Sequence, residues 1–217
     1  LDKVYKFFKQ ELSKIEWLKN LDSGVSVVGM GKYFLSICKL ARKLTKYPLD
    51  VENMFELKKE DFVSCYNFLS GLDIDKSKKI KGISQDRADL FACSLALYKA
   101  IFDTFEYNTI CASKLDFSEG ELLFLANPSL TDKPYPDILG NSLDIINEYY
   151  ATKPNNNAHV YYLTVILYKQ LKVLHKLPRT YVKALRIASN LYNCGTRVNF
   201  YEKNKAGFNI VLNSHIM

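Results

Sequence analysis

The sequence predicts a mixed α/β segment followed by an all-α one, helix-dominated overall, with the change near residue 130. Three observations predict it. Apolar residues recur at helical spacing through most of the chain. Two short apolar runs, Val25–Val28 and Thr109–Ser113, lie only in the first part, each leading through a turn into a helix. The charge also shifts: residues 1–130 carry 19 basic and 18 acidic side chains, residues 131–217 carry 11 and 5. Nearly all of the net +7 therefore belongs to the second part, and such a field attracts polyanions.

The elements follow in order. Val4, Phe7, Phe8, Leu12, Ile15 and Leu18 place a helix over 3–19. Gly24 breaks it, and Val25–Val28 reads as a buried strand that enters Gly29-Met30-Gly31. A second helix carries Phe34, Ile37, Cys38, Ala41 and Leu44 on one face and stops before Pro48. Asn53–Leu57 reads as a short strand or a loop. Glu60 and Asp61 suit a helix N-terminus, and that helix runs to Gly71. Residues 73–82 form a charged loop, and Ser84 N-caps a long helix reaching about Phe105. After the strand Thr109–Ser113, Ser118-Glu119-Gly120-Glu121 opens a short helix. Pro128, Pro134 and Pro136 mark a linker. Helices are then expected at about 138–150, 158–175, 179–192 and 205–214, with Gly195 as a C-cap.

At 217 residues the chain can bury one large core or two modest ones, and 48% apolar with 24% charged residues argues against disorder. No apolar run approaches the roughly 18 residues of a membrane span, and the first residues do not form a signal peptide. Cys38, Cys65, Cys93, Cys111 and Cys194 are odd in number and contain no C-x-x-C pair; with three His in the chain they suggest reduced thiols in a cytoplasmic protein. A chain starting at Leu1 is expected to be part of a longer protein.

Three pieces together carry a resemblance: Val27-Val28-Gly29-Met30-Gly31-Lys32-Tyr33 entering a helix, Arg87-Ala88-Asp89-Leu90 heading the long helix, and Ile110-Cys111-Ala112-Ser113 followed by Glu119-Gly120-Glu121. In this order they resemble the exopolyphosphatase/guanosine pentaphosphate phosphatase (Ppx/GppA) family. The resemblance implies that residues 1–130 are the distal part of the second lobe of an actin-like (ribonuclease H-like) ATPase fold. It implies that 131–217 form a helical HD-like domain, incomplete at this length. Leu167–Leu171, Leu191–Gly195 and Lys203–Ser214 stand at the places of that domain's motifs.

Several positions depart from the family pattern. Asn156, Tyr192, Asn193, Lys203, Asn204 and Ala206 stand where the resemblance expects imidazoles and carboxylates, so metal-dependent HD chemistry is not expected. His159 and His175 read as helix-surface residues. The glycine turn has Lys32 and Tyr33 where the family has a second glycine and a threonine. Lys32 reads either as a point charge on phosphate or as a solvated lysine at a plain turn. Ser118 replaces the family's arginine.

The resemblance implies phosphate binding by Gly29, Gly31 and Lys32, and leaves Arg87, Asp89, Glu119 and Gly120 as motif residues without an assigned step. No catalytic residue and no metal ligand is expected within this chain, because the family's catalytic glutamate and main phosphate loops would precede Leu1. The implied reaction is removal of terminal phosphate from polyphosphate or guanosine pentaphosphate, with Mg²⁺ serving the parent family's reaction and no cofactor bound by this chain. A homodimer and a cytoplasmic location belong to the same expectation; a membrane partner does not. A second reading is a non-enzymatic scaffold or regulator that keeps the fold and binds a nucleotide or a protein. A nucleic-acid binder rests on charge alone, since Arg is scarce beside Lys and no stacking motif is visible.

Overall fold

The structure is a computed structural model that describes residues 1–20, 25–70, 88–105, 107–126, 137–150 and 154–214. The chain divides into two compact units, residues 1–128 and 129–217, and each is taken by itself. The predicted loop at 73–82, the Ser84 cap, Arg87 and the three linker prolines lie outside the described residues.

The first unit contains α1 (Asp2–Ser13), α2 (Glu16–Lys19), β1 (Val28–Gly29), α3 (Lys32–Leu44), β2 (Glu56–Lys58), α4 (Lys59–Ser70), α5 (Ala88–Thr104), β3 (Thr109–Ala112) and α6 (Phe117–Ala126). The strands form one sheet in the order β1-β3-β2, with β1 parallel and β2 antiparallel to β3. The expected helix over 3–19 is two helices. It breaks at Lys14 and at Ile15, whose backbone is extended, and the Ser13 hydroxyl donates to the Gln10 carbonyl at 2.7 Å, a local bond that competes with the helical ladder. The strand expected at Val25–Val28 is shorter and shifted to Val28–Gly29, although Cys111 N–H still donates to Val27 O.

The core follows from helical spacing. Phe34, Ile37, Cys38 and Ala41 of α3 are fully buried, together with Leu57 of β2, Cys65 of α4 and Ile110 of β3; Phe62 and Phe102 are nearly so. Each large side chain so placed contributes about 1.5–3 kcal/mol. Burial pushes the Cys38 and Cys65 thiols up to about 12, as expected of packing cysteines.

Two polar devices hold this unit. Helix α1 lies on α5, where Tyr5 donates to Asp103 Oδ2 at 3.1 Å and Lys99 Nζ donates to the same oxygen at 2.7 Å. The Lys99 ammonium also sits 5.1 Å from the Tyr5 ring centre and 5.4 Å from that of Tyr66. Helix α3 ends in a Schellman turn: Tyr47 N–H reaches Arg42 O at 2.8 Å and Lys46 N–H reaches Lys43 O at 3.3 Å. Lys46 takes the left-handed position of that turn, with φ 53°, where glycine is the usual residue.

The second unit contains α7 (Ile138–Tyr149), α8 (Pro154–Gln170), α9 (Lys172–His175), α10 (Tyr181–Leu191), a 3₁₀ turn (Cys194–Arg197) and α11 (Lys203–Asn213). Leu143, Ile146, Leu191 and Cys194 form its core, with Ile187 and Ile210 against them. Asn157, fully within this packing, donates to Asn147 Oδ1 at 3.2 Å and to Asn190 O at 2.9 Å, which ties α7, α8 and α10 together.

The helix expected over 158–175 starts earlier, at Pro154, a residue suited to a first turn, and breaks at Leu171. His175 explains the break. Its Nδ1 accepts from Leu177 N–H at 2.9 Å, so Nε2 carries the proton and donates to Tyr168 O at 2.8 Å, a carbonyl the continuing helix would use. The same ring stacks on Tyr168 at 4.5 Å, so His175 is a local turn lock and not a bare helix-surface residue. Gly195 is also not the expected left-handed cap. It lies inside the 3₁₀ turn, and a Cβ there would meet Lys203 O at 2.1 Å and Gly207 N at 2.5 Å. Its missing side chain lets this turn lie directly on the backbone of α11.

Candidate functional site

The parallel register of β1 and β3 pairs Val28 with Cys111 and Gly29 with Ala112, and Ser113 N–H donates to Gly29 O at 2.9 Å. Both strands therefore end on the same side of the sheet. The turn 29–31 into α3 and the turn 113–116 into α6 leave from their carboxyl ends, the side on which α/β folds bind ligands. The structure thus brings Gly29, Gly31 and Lys32 to one sheet end with Glu119 and Gly120.

The two glycines of the first turn are required for different reasons. A Cβ on Gly29 would lie 2.4 Å from the buried Phe34 ring, so Gly29 exists for close packing. Gly31 has open space around it, but its φ of 89° is one that only glycine adopts without strain. Gly31 precedes α3 as N-cap and offers no side chain to cap it. The first N–H groups of a 13-residue helix therefore face an exposed turn with the helix dipole behind them. Lys32 is exposed at the first helical position and adds a cationic group there. This arrangement can receive an oxyanion without backbone rearrangement.

The second turn has the opposite character. Asp116 Oδ1 accepts from Ser118 N–H at 2.8 Å, and Glu119 Oε2 accepts from Asp116 N–H at 2.8 Å. This is a capping box, with Asp116 as the cap and Glu119 as its reciprocal partner. Ser118, which the sequence suggests as the helix opener, is two residues inside. Glu119 is accounted for by helix capping, and the Asp-x-x-Glu spacing 116–119 is the signal that announces it. Hydrogen bonding with the Glu119 carboxyl, aided by Ser118 N–H, holds the Asp116 carboxyl below its ordinary range. Gly120 has no positive φ, and a methyl group there would meet nothing within 4 Å, so the fold makes no demand for glycine at this position.

Asp89 lies in the first turn of α5, its side chain outside what is described, and Arg87 is outside altogether. The resemblance implies Mg²⁺; at this sheet end one oxygen each of Asp116 and Glu119 is taken by the cap. Among the described residues, no group of three or more His, Cys, Asp or Glu could hold a metal.

In the second unit, three of the positions that depart from the expected motif residues, Tyr192, Asn193 and Lys203, converge. Lys203 Nζ donates to Asn193 Oδ1 at 3.1 Å and sits 5.8 Å from the Tyr192 ring centre. An ammonium held between an amide and a phenol ring supplies a fixed positive charge, and these three groups cannot bind and activate a metal-bound water. Asn156 and Asn204 take no part in this contact. No described helix is long and apolar enough to cross a membrane.

No family model matches the sequence, and no curated protein matches it. Solved structures do. An exopolyphosphatase from Cytophaga hutchinsonii superposes with a TM-score of 0.52 at 18% identity, over 58% of this chain and 41% of that one. A Ppx/GppA family member from Aquifex aeolicus gives 0.49 at 16% identity, over 59% of this chain and 40% of that one. A PPX-GPPA enzyme of the same organism gives 0.46 at 19% identity, over 55% and 38%. The chain thus spans about two fifths of the length of the structures it matches. Over the part it shares with the Cytophaga hutchinsonii protein, this chain has the fold of part of an exopolyphosphatase.

Proposed function

We propose that the chain is the distal portion of an exopolyphosphatase-like phosphoanhydride hydrolase, and that it contributes phosphate binding without a complete catalytic site. The observation that carries this reading is the uncapped α3 N-terminus, with Gly31 and Lys32, at the carboxyl end of a parallel strand pair. The fold match to an exopolyphosphatase supports it. In this reading the α3 amides and Lys32 hold a terminal phosphate of polyphosphate or guanosine pentaphosphate. Hydrolysis also needs a positioned base and charge neutralisation of the transferred phosphoryl group, and these come from outside the residues present here. Residues 131–217 form, in the same reading, an HD-like helical domain whose chemistry has been replaced by the Lys203–Asn193–Tyr192 contact. A cytoplasmic location accompanies it.

The test is a pair of measurements on this chain with polyphosphate and Mg²⁺. Binding that weakens in Lys32→Ala, with no phosphate released above the uncatalysed level, is the expected result. Robust phosphate release would overturn the binding-only assignment, and a Lys32→Ala affinity equal to wild type would remove the turn from it. One observation favours a non-enzymatic scaffold instead: the Lys203 ammonium fills the convergence point of the altered positions. A nucleotide or protein ligand lost in Lys203→Ala but kept in Lys32→Ala would select that reading.

A further inference from the structure

Helix α3 carries Lys39, Arg42 and Lys43 at its C-terminal end, and Lys46 follows in the Schellman turn. These four side chains, with Tyr47, Pro48, Leu49 and Asp50, line a concavity of about 450 Å³. It lies a helix length from the glycine turn, roughly 20 Å at 1.5 Å per residue. It is therefore separate from the phosphate site proposed above.

Arg42 distinguishes this concavity from a solvated lysine patch. Its side chain is 4% exposed, and its Nε and Nη1 have no hydrogen-bond partner among the described residues. The guanidinium rests on the Phe55 ring at 5.4 Å, and only Nη2 is engaged, donating to Asp50 Oδ1 at 3.3 Å. Asp50 itself is 84% exposed, so this pair is weak and easily displaced. A buried guanidinium with unpaired donors costs stability unless a partner satisfies it, and its planar fork matches oxyanions.

Complementing the helix dipole explains Arg42 and Lys43 in the last turn. It does not explain Lys39, a turn earlier, or Lys46, beyond the helix. Lys46 adopts φ 53° in a turn that glycine would complete with less strain. A charged side chain thus occupies a backbone position that disfavours it, beside a cavity that three further cations, Lys39, Arg42 and Lys43, also line.

We propose that this concavity binds a multiply charged phosphate anion, with Lys39 and Lys46 contacting its oxygens and the Arg42 guanidinium forming the floor. Asp50 competes for the same guanidinium. The phosphates can belong to a free phosphate chain or to a nucleoside triphosphate, and the titration separates the two.

Tripolyphosphate is titrated calorimetrically into the full chain at physiological salt, in a Lys32→Ala background so that the glycine turn contributes at most its backbone amides. Binding is expected to persist in Lys32→Ala and to weaken about tenfold on adding Lys39→Gln or Lys46→Gly, the size of one lost charge-assisted contact. Lys46→Gly should at the same time raise Tm, which a merely structural lysine would not combine with lost affinity. Asp50→Asn should tighten binding. Lys183→Ala, in the other unit, should leave it unchanged. Guanosine triphosphate binding more tightly than tripolyphosphate, with the gain lost in Tyr47→Ala, assigns a nucleotide; equal affinities assign a phosphate chain. Absence of binding in Lys32→Ala overturns the proposal while leaving the glycine-turn reading intact. A loss in Lys183→Ala equal to that in Lys39→Gln and Lys46→Gly also overturns it, because general surface charge would then account for the affinity.

Discussion

A methyl group at Gly29 would fall 2.4 Å from the Phe34 ring, against a side chain at the centre of the first core. Gly29→Ala is therefore expected to cost about 1–3 kcal/mol, visible as a lower denaturation midpoint with an unchanged slope. Gly120→Ala should behave in the opposite way. That position is helical, unstrained and without neighbours, so alanine should stabilise by about 0.5–1 kcal/mol; a loss of stability instead would show that Gly120 meets something beyond the described residues. The thiols give a third measurement. With Cys38 and Cys65 both raised to about 12 by burial, a thiol reagent at pH 8 should leave them unmodified in the folded chain and react with all five cysteines after unfolding.

At the scale of elements, the packing of α1 on α5 includes a partly buried carboxylate whose charge responds to pH. Burial pushes the Asp103 carboxyl up, but hydrogen bonds from Lys99 and Tyr5 and the charges of Lys99 and Lys59 outweigh it, leaving the pKa below its ordinary value. A carboxylate lowered in the folded state stabilises fully above its unfolded pKa and loses that contribution as pH falls through the folded one. Acid titration below about pH 4 should therefore loosen α1 from α5, and Asp103→Asn should remove this part of the pH dependence. Circular dichroism with hydrogen exchange of the α1 amides checks both. The α1–α5 latch was invisible in the sequence, because Tyr5 and Asp103 lie 98 residues apart. By contrast, the α3 face was legible from Phe34, Ile37, Cys38 and Ala41 alone, since one periodic stripe determines what a helix buries. The glycine turn was legible as strand, turn and helix, but its two glycines could not be told apart until Phe34 was in place. Glu119 looked like a motif residue because a cap and a catalytic carboxylate carry the same letter. The basic concavity stands in the sequence as Lys39, Arg42, Lys43 and Lys46 at i, i+3, i+4 and i+7, a spacing that says nothing by itself of the burial of Arg42.

At the scale of the whole molecule, if the chain binds polyphosphate as proposed, the excess of positive charge in residues 131–217 predicts that the association falls by about tenfold or more between 50 and 200 mM salt, as counterion release requires. A salt-independent affinity would mean that shape and directional hydrogen bonds dominate over the field. The parallel pairing of β1 with β3 has a consequence of another kind. It joins segments separated by about 80 residues, so closing it demands a large loop entropy before any pairing is rewarded. The second unit is built from consecutive helices whose contacts lie close together in the chain. Refolding should accordingly show two rates, a fast phase belonging to the helices after residue 137 and a slow one that ends when Gly29 and Ala112 come into register. During that interval α3 can already be helical, but the turn before it has no sheet to hold it, and the conformation of Gly29–Gly31 should be the last feature of the first unit to arrive.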